Sequence, residues 1–377
     1  MRKIFFKILS VFSLICILIF NSNITGEVQD DNIKFENFQS FIKSSPRENS
    51  VLILEFNDWH HECIPGYAKY FLDLGFNVDV LLLKGSEDCL CLFENCGKIN
   101  IYNFNFDEVV ENKNNISKIM DKYKYIFLNS AEIYNEKLEK YLDFIVDKKS
   151  IIVAHSTNTI KRSKIKNIGN RVVTLGKFDV GNYVNPHYFG NIDMHHKNKK
   201  TNFIAVGNMY KECRNYDILI ESVRNLKNKN KDFTITLIGR GSTLNIPEDI
   251  KDYFNFLGRL SYKDMYEQVK NADFILMLLD PKNQSHLIYK TSKVSGNVQL
   301  SYGFTTPVII NKDFADFYGF NDKNSIIYEE NLTNAMSEAI NKTEEEYNDI
   351  CYNLKTLSNS IFLESINNLR SIIENIN

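Results

Sequence analysis

Short apolar runs alternate with helical patterns along the chain from residue 50 onward. Residues 50–56 form an apolar run of strand length, a helical pattern follows over residues 66–74, and residues 76–83 form the next run. Such runs are typical of strands buried on both faces of a parallel sheet. Weaker runs follow at residues 124–128, 150–154 and 171–175. Strands that alternate with helices predict a doubly wound α/β domain.

A polar stretch at residues 185–201, which contains Pro186 and three histidines, interrupts this rhythm and is typical of an interdomain linker. The alternation then resumes. Strands are predicted at residues 203–206, 233–238, 253–257, 274–279 and 307–310. Helices are predicted at residues 216–226, 262–270 and 296–302. A second α/β sheet of similar size is therefore expected.

The length of 377 residues exceeds what one hydrophobic core usually spans. We predict two Rossmann-like, doubly wound domains that face each other across a cleft. The predicted organisation is a polar stem at residues 27–46, a first domain at 47–190, a linker at 191–201, a second domain at 202–342 and C-terminal helices at 343–377.

The N-terminus has the pattern of a membrane-targeting segment. Arg2, Lys3 and Lys7 precede a largely apolar stretch at residues 8–20, interrupted only by Ser10 and Ser13. This stretch of 13 residues falls short of the roughly 20 that a spanning helix needs, so residues 1–26 are predicted to be either a cleaved signal peptide or an uncleaved anchor. The prediction is a membrane-anchored or secretory protein. The basic flank favours an external or luminal location for the folded part.

The balance of charges limits the kinds of partner that the protein is expected to bind. The 45 Lys and Arg nearly balance the 47 Asp and Glu, and no basic block is long enough to follow a phosphate backbone, so nucleic acid is not an expected partner. A small-molecule or glycan substrate is expected instead.

Cys89, Cys91 and Cys96 cluster after a predicted strand. Their spacing matches no CxxC motif, and a metal site, a disulfide and unreactive thiols all remain open.

Glycines, hydroxyls and cations follow three predicted strands of the second domain. In a parallel sheet, the loops at the carboxyl ends of the strands bind ligands. Gly207 and Arg214 follow one strand, and the turn at residues 239–242, which includes Arg240, follows another. A third loop carries Lys290, Lys293 and Ser295-Gly296 ahead of a predicted helix, whose backbone N–H groups could bind phosphate. Convergence of the three loops predicts a diphosphate site.

These segments resemble the donor-binding domain of the group 1 glycosyl transferases. The resemblance lies in VGNMYKECRNYDILI at 206–220, LIGRGS at 237–242, FLGRLSYKDMYEQVKNADFILMLL at 256–279 and SGNVQLSYGFTTPVII at 295–310. The first half, through PGYAKYFLDLGFNVDVL at 65–81 and VNPHYFG at 184–190, is similar to the acceptor domain of the same superfamily. The resemblance implies the GT-B fold and transfer of a sugar from a nucleotide-sugar donor.

The resemblance also implies roles for single residues. Arg214 and Gly207 would approach the donor diphosphate, and Ser295 and Gly296 would begin its phosphate-binding helix. The other implied donor contacts are Gly239 and Gly241 at the nucleotide turn, Arg259 in the loop near the base, and Gln299. Many members of the group carry two glutamates eight positions apart here, whereas this chain has no Glu from Gln268 through Tyr328. Donor use could therefore differ, or activity could be lost.

The loop after the first strand offers candidates for a general base. Asp58, His61 and Glu62 lie there, and a His or carboxylate is needed to deprotonate an acceptor hydroxyl. Ordinary polar contacts are an equally open interpretation. A zinc site is disfavoured because no second His completes an HEXXH motif. His155, after another strand, is a similar candidate.

The leading interpretation is a glycosyltransferase that acts on a glycan, lipid or protein acceptor. No metal or other cofactor is expected, because the nucleotide sugar is a substrate and side-chain cations can neutralise its diphosphate. Two alternatives remain open: a catalytically silent GT-B protein that binds a carbohydrate or a partner, and a sugar-nucleotide epimerase.

Overall fold

Two parallel β-sheets organise the chain in the computed structural model. The structure describes residues 35–93, 99–132, 142, 145–146, 149–160, 169–190, 192–210, 212–229, 231–241 and 244–376. Ile33–Asn377 form one compact unit. We call residues 35–190 the first half and residues 192–341 the second half.

Within the described residues, every strand of the first sheet runs parallel to its neighbours, and the strand order is β1-β4-β3-β2-β5-β6-β7-β8. The strands are β1 (Phe35–Asn37), β2 (Ser50–Glu55), β3 (Asn77–Leu83), β4 (Ile99–Phe104), β5 (Tyr125–Leu128), β6 (Ser150–Ala154), β7 (Val172–Thr174) and β8 (Asn182–Tyr183). The helices are α1 (Phe38–Lys43), α2 (Ile64–Asp73), α3 (Phe106–Glu111), α4 (Lys113–Met120) and α5 (Thr157–Ile160). Short 3₁₀ helices lie at His61–Cys63, Glu87–Phe93 and Gly169–Arg171.

The second sheet is also parallel, with the order β11-β10-β9-β12-β13-β14. Its strands are β9 (Thr201–Val206), β10 (Phe233–Ile238), β11 (Phe254–Gly258), β12 (Phe274–Leu276), β13 (Val308–Asn311) and β14 (Ile326–Tyr328). The helices are α6 (Tyr216–Asn228), α7 (Tyr262–Lys270), α8 (Gln284–Thr291), α9 (Gly296–Phe304), α10 (Lys312–Ala315), α11 (Leu332–Asn341) and α12 (Glu344–Ile376), with 3₁₀ helices at Glu248–Tyr253 and Asp316–Tyr318.

Both faces of each sheet are covered, which explains the apolar runs in the sequence. Val51 and Ile53 of β2 pack into one core cluster, whereas Leu52 and Leu54 pack into the cluster on the opposite face. Side chains of a strand alternate between faces, so a strand buried on both faces must be apolar at nearly every position. The predicted α/β class with two doubly wound sheets is confirmed.

The C-terminal helix α12 packs against both halves. Tyr347 and Cys351 belong to a core cluster of the second sheet, and Leu369 and Ile373 belong to a cluster of the first. Ser365 Oγ accepts a hydrogen bond of 3.0 Å from the backbone N–H of Asn185. One continuous helix thus ties the two halves together, which its sequence pattern alone did not predict.

Three local predictions need correction. Residues 35–43, predicted as part of a stem, form β1 and α1, because Phe38 and Phe41 are buried in a core cluster on one face of the first sheet. The segment before Lys290, predicted as a long loop, contains helix α8. The strand predicted over 274–279 ends at Leu276, two residues before Leu278 turns to a φ of 49°. The exact domain boundaries stay predictions.

The predicted membrane-anchored or secretory location is also corrected. Among the described residues, no helix is both long enough and apolar enough to cross a membrane. The predicted signal or anchor at residues 1–26 lies outside the described residues.

Candidate active site

A cleft of about 1160 Å³ is lined by residues of both halves. It lies where loops leave the carboxyl ends of parallel strands, among them β2, β6, β9 and β10. This edge is where open α/β sheets bind their ligands. Volumes of this order can hold a ligand of the size of a nucleotide sugar.

Charge is segregated across the cleft. Asp58, Glu62, Asp88 and Glu132 line the wall formed by the first half. Among the described lining residues, every Lys and Arg comes from the second half, namely Arg214, Arg240, Arg259 and Lys293. One wall is therefore acidic and the other basic, and the two walls favour different ligand groups.

Glycines let two loops of the basic wall approach each other closely. Gly207 donates its backbone N–H to Ile238, and Gly239 donates to Gly258 at 2.8 Å. Gly239 has a φ of 151°, and a Cβ there would lie 1.8 Å from the carbonyl oxygen of Gly207. Only glycine fits, because both the conformation and the space exclude a side chain.

Arg214 lies buried behind Gly207. Its Nη1 donates to the carbonyl of Cys213 at 2.6 Å, and its Nη2 donates to Ser295 Oγ at 3.2 Å. The guanidinium carbon lies 5.5 Å from the ring centroid of Tyr289. The Nε atom has no hydrogen-bond partner among the described residues. A buried cation with an unused donor is suited to bind an anion in the cleft.

Helix α9 begins at the cleft. A Cβ at Gly296, its first residue, would meet nothing within 4 Å, so its backbone faces open space. The next residue, Asn297, is buried, lines the cleft, and has no partner for its Nδ2 among the described residues. An open helix N-terminus with an unused amide donor beside it attracts negative charge.

The predicted donor residues fall into three groups. Gly207, Arg214, Gly239, Arg240, Arg259, Lys293, Gly296 and Gln299 all line the cleft. Ser295 and Gly241 lie behind this wall, since Ser295 bonds Arg214 and a Cβ on Gly241 would lie 2.9 Å from Met209 Cβ. The prediction that Lys290 belongs to the donor site is corrected. The Lys290 amine bonds the carbonyl of Asp313 at 3.1 Å and lies over the ring of Phe314, away from the cleft.

On the acidic wall, a buried carboxylate fixes the loop after β2. Glu55 is fully buried at the end of this strand. Its Oε1 accepts the backbone and side-chain N–H groups of Asn57 at 2.9 and 2.8 Å, and its Oε2 accepts from Asn129 and Ser130, both at 2.6 Å. Burial raises the pKa of Glu55 despite these four donors. The network holds neighbouring loops of the cleft in one arrangement.

The imidazole rings of two histidines on the acidic wall stack against each other. The rings of His60 and His155 are 3.7 Å apart and nearly parallel, at 5°. Burial and the nearby His60 lower the pKa of His155 well below its usual value. Burial also opposes a charge on His60, but the bond to Glu62 and its negative charge outweigh burial and raise the pKa of His60. His155 is therefore the neutral partner, and its Nε2 bonds the carbonyl of Asn129 at 2.8 Å.

The predicted base candidates Asp58, His61 and Glu62 all line the cleft. Glu62 Oε1 lies 3.6 Å from His60 Nδ1, and His61 Nε2 lies 3.6 Å from Asp88. Although burial favours its neutral form, the hydrogen bond and the positive charge of His60 lower the pKa of Glu62 to about 2. Glu62 is thus ionised at neutral pH. A carboxylate of such low pKa is a weak base.

Tyr262, Glu132 and Asn297 are cleft residues that the sequence analysis missed. Ser261 begins α7 by accepting the N–H of Asp264 at 3.1 Å, which leaves Tyr262 at the first helical position facing the first half. Glu132 accepts N–H from Ser156 at 2.9 Å and O–H from Thr159 at 2.6 Å. The serine cap before Tyr262 was the one local signal available.

Four cysteines outside the predicted N-terminal segment have described side chains. Cys63, Cys89, Cys213 and Cys351 are free thiols. The side chains of Cys91 and Cys96 lie outside the described residues. Within the described part of the chain, no group of three or more His, Cys, Asp and Glu residues could hold a metal ion.

Comparison with solved structures places this architecture among the GT-B glycosyltransferases. A glycosyltransferase from Rickettsia africae aligns with a TM-score of 0.55 at 12% identity, covering 88% of this chain and 99% of that one. Anabaena HepE in complex with UDP aligns at 0.53 and 13% identity, covering 85% and 98%. TarM aligns at 0.52 and 10% identity, covering 87% and 99%.

These similarities confirm the GT-B fold that the sequence resemblance implied. They place the chain at the level of fold with glycosyltransferases, because the identities are too low to carry substrate or residue roles. No protein-family model and no curated protein matches the sequence.

Proposed function

We propose that this protein is a glycosyltransferase that moves a sugar from a nucleotide-sugar donor to a hydroxyl-bearing acceptor. The observation that carries the proposal is the basic wall of the cleft. Among the described residues, the Nε of buried Arg214 has no hydrogen-bond partner, and Lys293 lines the same wall as the open start of α9. A diphosphate would bind where these positive groups converge.

No metal or other cofactor is part of the proposal. Four basic side chains and a helix N-terminus supply positive charge where the leaving nucleotide diphosphate would develop negative charge. HepE and an α-glucosyltransferase were solved with UDP. UDP is therefore the first nucleotide to test. The acceptor, a glycan, lipid or protein, would enter from the acidic wall.

Nucleotide binding tests the donor site. The full chain is titrated with UDP, GDP, CMP and TDP by thermal shift, alongside Arg214→Lys, Arg214→Ala and Lys290→Ala. Lys290→Ala is the matched control, because this cation points away from the cleft. We expect one base to stabilise the wild type and Lys290→Ala alike, with the shift lost in Arg214→Ala. Absence of any shift in the wild type contradicts the proposal.

Product analysis separates the alternatives. Release of nucleotide that depends on an added acceptor supports transfer. The silent binding protein is favoured by the absence of Glu between Gln268 and Tyr328, and it would bind nucleotide sugar without cleaving it. An epimerase would change the sugar while most of its bond to the nucleotide survives.

A further inference from the structure

The chain has a single tryptophan, Trp59, and it lines the acidic wall of the cleft. Trp59 is half-buried in the loop after β2, beside the exposed Asp58. An indole offers a broad flat apolar face that can pack against the C–H face of a pyranose ring. A neighbouring carboxylate can accept hydrogen bonds from the hydroxyl groups of that ring.

The loop that carries Trp59 is held at both ends by one buried network. Before Trp59, Asn57 donates its backbone and side-chain N–H groups to Glu55. After it, the carbonyl of His60 accepts Asn129 Nδ2 at 2.8 Å, and the same amide donates to Glu55. A buried carboxylate is costly to desolvate unless it is fully bonded. Here it fixes the position of the indole in advance of any ligand.

His60 adds a second sign that this loop is held in a specific conformation. Its φ of 65° lies in the left-handed region, which residues other than glycine rarely adopt. Stacking on His155 holds the ring in place. Backbone strain of this kind concentrates at ligand-binding sites, where the surrounding structure maintains it.

The charge of the two walls indicates which ligand groups each one can bind. The acidic wall carries Asp58, Glu62, Asp88 and Glu132, and the described basic lining residues all come from the second half. Carboxylates repel phosphate groups and attract hydroxyl or ammonium donors. A neutral or amino-bearing sugar therefore suits the acidic wall.

We propose that Trp59 and Asp58 form an acceptor subsite and that the acceptor is a saccharide. Its pyranose ring stacks on the indole of Trp59, and its hydroxyl groups donate hydrogen bonds to Asp58. This inference rests on the proposed function, in which the donor occupies the basic wall.

Fluorescence of Trp59 tests the inference directly, because no other tryptophan contributes to the signal. The full chain, with UDP present, is titrated with methyl pyranosides and disaccharides of neutral and amino sugars. Parallel titrations use a sugar phosphate and a single-stranded DNA oligonucleotide. We expect a saturable change of emission with at least one neutral or amino saccharide. No response to any saccharide, or a response only to the phosphate-bearing probes, overturns the inference.

Variants then test the stacking. Affinity for the responding saccharide is measured by calorimetry in the wild type, Trp59→Phe, Trp59→Ala and Tyr352→Ala, whose tyrosine is 68% exposed on α12. We expect Trp59→Ala to weaken binding about tenfold and Trp59→Phe and Tyr352→Ala to bind nearly as the wild type does. UDP affinity should be unchanged in all four. Equal saccharide affinity in the wild type and Trp59→Ala overturns the stacking.

The two proposals fail separately. If UDP binds and no saccharide does, the acceptor inference falls and the proposed donor site stands. If a saccharide binds through Trp59 and no nucleotide binds, the proposed transferase falls and the saccharide subsite stands.

Discussion

Tyr262 of the second half donates its phenolic hydrogen to Oε2 of Glu62 in the first half at 2.9 Å. The backbone N–H of Tyr262 donates to Asp88 at 3.1 Å, and its ring meets His61 edge-on at a centroid distance of 5.1 Å. One residue at the start of α7 thus joins the two walls of the cleft. Two of the candidate bases lie at this junction.

We predict that Tyr262→Phe lowers the free energy of unfolding by about 1.5–3 kcal/mol. The change keeps the ring against His61 and removes one hydrogen bond to a carboxylate, and bonds to charged groups contribute in this range. Urea unfolding followed by circular dichroism measures the change. Tyr352→Phe on the exposed face of α12 is the control. Equal stability of Tyr262→Phe and the wild type would show that the bond contributes nothing.

The low pKa of Glu62 predicts a specific pH dependence. Because the folded-state pKa is about 2, below the ordinary 4.5, ionised Glu62 contributes stability at every pH above 4.5. That contribution is lost as the pH falls from 4.5 through about 2. The stability difference between the wild type and Glu62→Gln should grow as His60 takes up its proton on acidification through its raised pKa and 6.5, and then shrink below pH 4.5 as Glu62 itself is protonated. A difference that keeps growing below pH 4.5 contradicts this assignment.

The contact between Gly239 and Gly207 predicts unequal effects of two alanine substitutions. Gly239→Ala places a Cβ 1.8 Å from the Gly207 carbonyl, so the backbone must shift, at a cost of about 3 kcal/mol or more. Gly75 also has a positive φ, 86°, but its Cβ would meet nothing within 4 Å. Gly75→Ala should cost only about 1–2 kcal/mol for its conformation. Thermal and urea unfolding of the two variants would separate the cost of the steric clash from the cost of the backbone conformation. Similar losses of unfolding free energy in Gly239→Ala and Gly75→Ala would contradict the close contact.

Asn297→Ala should reduce nucleotide affinity while leaving stability nearly unchanged. Its Nδ2 is buried at the cleft without a partner among the described residues, so the folded protein loses no bond from that amide. A bond to a phosphate would be lost instead, worth about ten- to hundredfold in affinity. Calorimetry with the stabilising nucleotide measures the effect, and Asn208→Ala, also in the cleft, tests its specificity. Unchanged affinity would remove Asn297 from the donor site.

Most of the strands could be predicted from the sequence because they are buried on both faces. The predicted ranges 150–154 and 233–238 coincide with β6 and β10. Strands β1, β4, β8 and β14 were missed, because β1, β8 and β14 are only two or three residues long and polar residues interrupt the apolar positions of β4. The helix start at Tyr262 was predicted correctly, and the structure shows Ser261 as its cap.

The candidate donor loops were also found from local pattern, because parallel strands bring their carboxyl ends to one edge. Lys290 shows the limit of that reasoning. Its sequence neighbours Lys293 and Gly296 line the cleft, but one turn of α8 carries Lys290 to the other side, against Asp313. The direction in which a helical side chain points depends on its position around the helix axis. Because this segment was predicted to be a loop, its sequence pattern offered no basis for placing Lys290 on one face of a helix.

The sequence by itself therefore determined the fold class, the number of sheets and the sheet edge where the candidate donor loops meet, because strands buried on both faces leave apolar runs in the sequence and parallel strands bring their carboxyl ends to one edge. Only the tertiary structure decided the chemistry of the cleft: the separation of acidic and basic walls, the network under Trp59 and the bond from Tyr262 to Glu62. These features join residues far apart in the chain, such as the 200 positions between Glu62 and Tyr262. No local pattern encodes them, because their energies arise only when segments distant in the chain are brought together.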